Sequence, residues 1–309
     1  MKIVFLDRKT IGYDIDISKF ETLGDLTIYD ITNEDETLDR VKTADIVITN
    51  KVVIDKKIME NSNLKLICIT ATGTDNIDLK FAKEKGIVVK NVAGYSTASV
   101  TQVTFAHVFH FVQKLNYYID YVKKGNWGES DIFTHIDKPF YELENKNWGI
   151  IGLGEIGTKV ASIAKSFGCN VSYYSTSGKN SNTNFEQKSL EELLSQSDIV
   201  TIHAPLNDAT FNLINKSNLN LFKDGAILVN VGRGGIINEK DLADRLDSDK
   251  SLYCGLDVVS KEPMLKSNPL NNVQNKDRLI VTPHIGWGST EARNRVMDLV
   301  FDNIQEYIV

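Results

Sequence analysis

The stretch "NWGIIGLGEIGTKVASIAKSFGCNVSYYS", residues 147–175, constrains the fold more than any other part of the chain. An apolar run leads into Gly152, Gly154 and Gly157, a helical pattern follows, and a second apolar run closes the unit. A G-x-G-x-x-G spacing is weak evidence by itself. Between a strand and the start of a helix it acquires a mechanical meaning. Gly152 permits a tight turn, Gly154 lets a pyrophosphate approach the backbone, and Gly157 lets the helix pack close to the strand. Phosphates would then meet the N–H groups of Glu155 and Ile156 at the positive end of the helix. A dinucleotide-binding strand–helix–strand unit is the expectation.

The same alternation runs along the rest of the chain. "KIVFLD", "DLTIYD", "ADIVITN", "LKLICIT" and "GIVVKN" read as buried strands separated by charged helical segments. After the glycine motif come "NVSYYS", "DIVTIHAP", "GAILVNVG", "LYCGLDVV" and "RLIVTPHIG". Helices are expected near 157–167, 189–196, 216–221 and 239–248, and the final "STEARNRVMDLVFDNIQEYIV" is amphipathic. Alternation of this kind implies parallel sheets covered on both faces. With 309 residues, two α/β domains of roughly 150 residues fit the length. Between the two series, Val100, Val103, Phe109, Val112 and Leu115 form an apolar stripe. It predicts one helix from Ser96 or Thr97 to about Lys124. The irregular stretch after it reads as a surface arm, a subunit contact or a long loop.

Composition excludes some functions. A net charge of −6 leaves no basic surplus for neutralising phosphates, so nucleic acid is not an expected partner. No run of about 18 apolar residues occurs, so no membrane span is expected. Cys68, Cys169 and Cys254 are isolated thiols in or beside apolar segments. They suggest a reducing cytoplasm and neither disulfides nor a metal site.

The second strand of a dinucleotide unit usually ends in an acid that grips the adenosine ribose. Here it ends in Ser175, followed by Thr176, Ser177 and Lys179. A carboxylate would repel a 2′-phosphate by roughly 4 kcal/mol at 4 Å in an effective dielectric of 20. Its absence admits NADP beside NAD, and the hydroxyls with Lys179 favour NADP.

Three further segments carry chemistry: "VNVGRGGIINE" with Val231, Gly232 and Arg233; "LDVVSKEPM" with Asp257 and Glu262; and "VTPHIGWGSTEAR" with His284 and Gly286. Each follows an apolar strand, and the ends of parallel strands face the ligand crevice. With "TGTDNID", "STASVTQ" and "HAPLNDAT", these segments make nearly the whole chain resemble the D-isomer-specific 2-hydroxyacid dehydrogenases.

The resemblance implies two doubly wound domains, a Rossmann cofactor domain (99–285) inserted into a flavodoxin-like substrate domain (1–98 plus 286–309). It implies hydride transfer between NAD(P)H and a 2-oxo acid, and a homodimer. Such a reduction needs a proton for the carbonyl oxygen and an anchor for the carboxylate. His284 would be the acid, Glu262 its charged partner, and Arg233 the carboxylate clamp. Backbone N–H groups at Thr72, Gly73 and Thr74 would complete carboxylate binding. His203, Ala204, Pro205, Thr210, Val231, Gly232, Asp257 and Gly286 would join the glycine turn around the cofactor. Lys51 in "TNKVV" falls at a strand end and could meet the distal group of a substrate, where a polar Asn50-Lys51 pair suits hydroxypyruvate or glyoxylate. His107 and His110 lie on the long helix and read as packing residues. Gln102 and Gly232 depart from the common pattern, as does Ser175. Bulkier 2-oxo acids remain an alternative. Because relatives that act as nucleotide-sensing corepressor scaffolds keep the same Arg, Glu and His, a binding module is a second one.

Overall fold

The computed structural model describes residues 1–180 and 182–309. They form two compact units, Met1–Ser96 with Trp287–Val309, and Thr97–Gly286.

The first unit comprises β1 (Lys2–Phe5), β2 (Asp25–Ile28), α1 (Glu34–Val41), β3 (Ile46–Thr49), α2 (Lys56–Glu60), β4 (Leu66–Ile69), α3 (Leu79–Lys85) and β5 (Val88–Lys90). Its five strands run parallel in the order β2-β1-β3-β4-β5, the flavodoxin-like arrangement. Every residue of β3 and β4 is buried, because apolar clusters cover both faces of the sheet. The C-terminal helix Thr290–Ile308 contributes Ala292, Val296, Met297, Val300 and Ile304 to one of those clusters. Short helices start on side-chain caps: Asp55 accepts from the Ile58 N–H and Asp78 from that of Phe81.

The second unit holds α4 (Thr97–Gln113), α5 (Leu115–Lys123), β6 (Asn147–Ile151), α6 (Glu155–Ser166), β7 (Asn170–Tyr174), β8 (Glu186–Gln187), α7 (Leu190–Gln196), β9 (Ile199–Ile202), β10 (Ala226–Asn230), α8 (Glu239–Leu246), β11 (Leu252–Leu256) and β12 (Leu279–Val281). Its sheet is parallel, in the order β12-β11-β10-β9-β6-β7-β8. The order reverses between β6 and β9, and ligands bind at such a switch point beyond the strand C-termini. Register places Ile151, Ile202, Asn230, Leu256 and Val281 side by side across five strands. The loops that follow them therefore leave from one edge.

Two local expectations are corrected, and one strand is added. The helix expected to run to about Lys124 breaks at Lys114, whose φ is +49°. α4 is buried against the sheet, whereas α5 has no buried residue and Leu115 is exposed. The stripe thus spans two helices. Residues 216–221 yield only a 3-10 turn at Leu219–Leu221. Asn215 takes the N–H and hydroxyl of Ser217, and Asn218 takes the N–H of Asn215. These bonds compete with the helix ladder. The strand β8 was unforeseen, being two exposed polar residues at a sheet edge.

Among the described residues no helix is long and apolar enough to cross a membrane, and no cluster of His, Cys, Asp and Glu has the makings of a metal site.

Candidate active site

The glycine turn lies at the switch point. Gly152 has φ +89°, and a Cβ there would stand 2.9 Å from the Ala204 backbone on the β9 side. A Cβ on Gly157 would meet the Gly152 carbonyl oxygen at 2.2 Å. Both glycines are demanded by the protein's own packing. Gly154 differs: a Cβ there would meet nothing within 4 Å. It is the exposed N-cap of α6, so the open space beside it suits a ligand that must touch backbone. The first-turn N–H groups at Glu155, Ile156 and Gly157 have no intrahelical acceptor. A pyrophosphate fits this cradle by shape and by charge.

On the adenosine side, Ser175 is buried directly after β7, and its Oγ accepts from the Asn180 N–H at 3.4 Å. Thr176 is half-buried, while Ser177 and Lys179 are exposed. The Asn180 side chain donates to the Leu153 carbonyl at 2.6 Å, tying this loop to the glycine turn. Sequence reasoning missed Asn180, since a lone Asn in a polar loop carries no signal.

Behind the turn, His203 continues β9, its N–H bonded to the Ile151 carbonyl. Its Nε2 lies 3.0 Å from Thr201 Oγ1, which also accepts from Trp148 Nε1. The residue is partly exposed, yet Nδ1 is enclosed without a partner. Burial pushes the imidazole down to about 3, so the ring is neutral. Ala204 is buried and Pro205 exposed. Thr210 is fully buried, and its hydroxyl donates to the Pro205 carbonyl at 2.7 Å. That closes the 205–210 turn, so Thr210 shapes the loop.

At the end of β10 the fully buried Asn230 holds the next turn with both ends of its amide. Nδ2 donates to the Arg233 carbonyl at 2.8 Å, and Oδ1 accepts from the Gly232 N–H at 3.0 Å. Val231 is buried within this turn. A Cβ on Gly232 would approach the Ala204 oxygen to 2.9 Å, and one on Gly234 would lie 1.9 Å from the Val259 carbonyl carbon. These contacts explain the small residues flanking Arg233. They also seat its loop against the segment that leads to Glu262. The guanidinium is half-buried and donates to the Gly232 carbonyl at 2.9 Å.

Glu262 and His284 are brought together. Glu262 Oε2 lies 2.6 Å from His284 Nδ1, with side chains 32% and 26% exposed. A carboxylate can only accept, so Nδ1 carries the proton and Nε2 is the nitrogen left to exchange a proton with a ligand. Oε1 accepts from the Val259 N–H at 3.2 Å, which fixes the carboxylate in turn.

His284 has φ +52°, uncommon for a residue with a Cβ and costly by about 1 kcal/mol. Asp257 holds it there. The Asp257 carbonyl accepts from the His284 N–H at 2.9 Å. The carboxylate accepts from Ile285 N at 2.9 Å, Gly286 N at 2.7 Å and Thr282 Oγ1 at 2.6 Å. Asp257, expected among the cofactor contacts, thus also holds the His284 loop. The packing role expected of His107 is corrected. The residue is buried, and its Nε2 bonds to Thr282 Oγ1 at 3.0 Å. His110 remains half-buried beside the Phe111 ring.

Lys51 and Thr72–Thr74 belong to the other unit. The Lys51 N–H donates to buried Asp7 at 2.7 Å, and its side chain is exposed. Thr72 spends its hydroxyl on the Val92 carbonyl at 2.8 Å.

Residues 105–286 match the family model described as the NAD-binding domain of D-isomer-specific 2-hydroxyacid dehydrogenases. A hydroxypyruvate reductase of Blautia hydrogenotrophica is 39% identical over 316 residues, covering 100% of this chain and 97% of that one. Among solved structures, an acyclic imino acid reductase in complex with NADPH and D-Arg superposes with a TM-score of 0.86 at 30% identity, covering 99% and 97% of the two chains. The D-lactate dehydrogenase of Aquifex aeolicus, complexed with NAD and lactic acid, gives 0.83 at 26% identity and covers 99% and 95%.

Proposed function

Because the chain belongs to the D-isomer-specific 2-hydroxyacid dehydrogenase family, we propose that it reduces small 2-oxo acids of the hydroxypyruvate and glyoxylate class to D-2-hydroxy acids. A nicotinamide cofactor, when bound, supplies the hydride. His284 donates the proton to the carbonyl oxygen from Nε2, and Glu262 supports the charge on the ring from Nδ1. Arg233 clamps the substrate carboxylate with a planar fork that an ammonium cannot match. Thr72, Gly73 and Thr74 offer backbone N–H groups to the same carboxylate, and the polar Asn50-Lys51 pair meets the distal group. The observation that carries the reading is the 2.6 Å Glu262–His284 pair, which joins the segment after β11 to the loop after β12. Support for the substrate class comes from the 39% identical relative named hydroxypyruvate reductase.

NADPH is the proposed preference. The fold's neighbours hold either cofactor, so the preference rests on Ser175, where no carboxylate opposes a 2′-phosphate. Lys179 and the exposed Ser177 hydroxyl are the proposed partners of that phosphate. We further propose a cytoplasmic homodimer. The arm after α4 exposes Leu115, Ile119, Trp127, Ile132, Phe133 and Phe140, a patch that a second copy would cover.

The test is kcat/KM for hydroxypyruvate, glyoxylate, phenylpyruvate and 2-oxoisocaproate with NADH and with NADPH. The small acids and NADPH should lead. A bulky acid in front overturns the substrate class, and no turnover of any acid favours the scaffold alternative. Ser175→Asp should shift the cofactor ratio toward NADH by about ten-fold. Light scattering reads the dimer.

A further inference from the structure

We propose that His107, on α4, is a positioning residue for His284, acting through Thr282 and Asp257. The proposal rests on the reductase reading in which His284 is the proton donor.

The Asp257 carboxylate sets the arrangement of protons. The Asp257 carboxylate accepts from the N–H groups of Ile285 and Gly286. Being an acceptor only, it also takes the single hydroxyl proton of Thr282, across 2.6 Å. Thr282 Oγ1 then has only lone pairs for its other neighbour. His107 Nε2, 3.0 Å away, must therefore be the donor, and His107 is the Nε2–H tautomer. Its Nδ1 becomes the acceptor end of the ring, enclosed beside the Gly255 backbone and without a partner of full hydrogen-bond geometry. That is the cheaper orphan, because a buried N–H left unpaired costs more than an unsatisfied lone pair. Burial also pushes the imidazole down from its ordinary value, so the ring stays neutral and keeps one donor.

The seat of this ring is fitted. A Cβ on Gly255 of β11 would stand 2.9 Å from His107 Nδ1 and 3.0 Å from its Cβ. Glycine at 255 lets the ring lie against the strand that ends at Asp257. The chain His107–Thr282–Asp257 thus runs from a buried helix to the three N–H groups at 284–286. Those groups hold His284 at φ +52°. With the His107 N–H removed, the Thr282 hydroxyl can rotate away from Asp257, and the loop loses its third anchor. A strained backbone persists only where its surroundings over-determine it.

The test uses the whole chain. His107→Leu and Thr282→Val should each lower kcat by about ten-fold while the Kd of NADPH, followed by fluorescence, changes less than about two-fold. The double variant should be no worse than either single one, since both break the same line. His107→Gln, which offers an amide N–H near the Nε2 position, and Thr282→Ser should recover most of the loss. An apolar packing role predicts the reverse order, with Leu better tolerated than Gln. Full kcat in folded His107→Leu, or Gln no better than Leu, overturns the proposal. If His107→Leu does not fold, the Thr282 pair decides the question. Imidazole ¹⁵N spectra of the ligand-free wild type need no turnover: the Nε2–H tautomer at His107 supports the relay, and Nδ1–H overturns it. Wild-type inactivity toward every 2-oxo acid would instead strike the reductase reading, so the two failures are distinguishable.

Discussion

Two loops, one in each unit, are held by the same device. Asp257 follows β11 and Asp7 follows β1, and both are buried. Each accepts from two successive backbone N–H groups of a loop on the neighbouring strand: Ile285 and Gly286 in one case, Asn50 and Lys51 in the other. Each also takes a threonine hydroxyl, at 2.6 Å from Thr282 and 3.3 Å from Thr49. A carboxylate with several charge-assisted bonds is an effective clamp for a loop at a sheet edge. The difference lies in what the clamp extends to. Thr282 is tied onward to His107, and its loop carries a histidine in the left-handed region. Thr49 accepts only the Val52 N–H, and the side chain of Lys51 extends into solvent. The first arrangement fixes the imidazole proposed to transfer the proton, whereas the second fixes a backbone and leaves its side chain exposed. The one suits the proposed proton transfer and the other the proposed contact with a substrate's variable end.

The largest expected effect is at the residue the first clamp carries. His284→Ala should lower kcat by about 10³-fold, the range for a lost general acid. NADPH affinity, read by fluorescence titration, should be nearly unchanged because the glycine turn is untouched. A loss of affinity in parallel with kcat would mean that His284 acts mainly through the cofactor. Next comes the clamp itself. Asp257→Asn keeps the shape but turns an acceptor oxygen into a donor facing an N–H group, and kcat should fall by about 10²-fold in steady-state assays.

Acidification should separate the units. All five histidines lie in Thr97–Gly286. Burial holds His107 and His110 below the ordinary value and pushes His203 down to about 3. An unfolded histidine takes up a proton near 6.5 that the folded site refuses. The contribution to stability is therefore complete above that pH and is lost as pH falls from about 6.5 toward the folded value. For His203 alone the loss between pH 7.5 and 5 should be about 2 kcal/mol. Hydrogen exchange should show it in the second unit, and His203→Asn should flatten it. An equal slope in the first unit would assign it to other groups.

The smallest effect tests the second clamp with the same substitution. Asp7→Asn should raise KM for the 2-oxo acid by about five-fold and leave kcat within about two-fold. Should Asp7→Asn and Asp257→Asn both act on kcat, the distinction between the two loops collapses.

Much of this molecule was legible in order along the chain. Periodic apolar runs identify buried parallel strands because both faces of such a strand must be apolar, and β3, β4, β9 and β10 are buried throughout. The glycine spacing marked the switch-point turn because two of its glycines meet neighbouring backbone, where no side chain fits. Arg233, Glu262 and His284 stood out as charged or titratable residues beyond apolar strands, which a sequence shows directly.

What the sequence by itself determined is therefore the fold class, the family and the position of the glycine turn. The fold class and the turn follow from local patterns, whose physical causes lie within a few residues, and the family from the resemblance of motifs spread along the chain. Only the tertiary structure decided which polar groups hold one another. His107 and Thr282 are 175 positions apart, and Asn180 reaches back 27 to Leu153. Nothing near His107 in sequence separates a hydrogen-bonded ring from a packed one. The break at Lys114 was equally hidden, since α5 continues the apolar pattern of α4 but finds no core to bury it. A buried hydrogen bond depends on proximity and on the proton each partner has left to give, and that is settled when distant strands come into register.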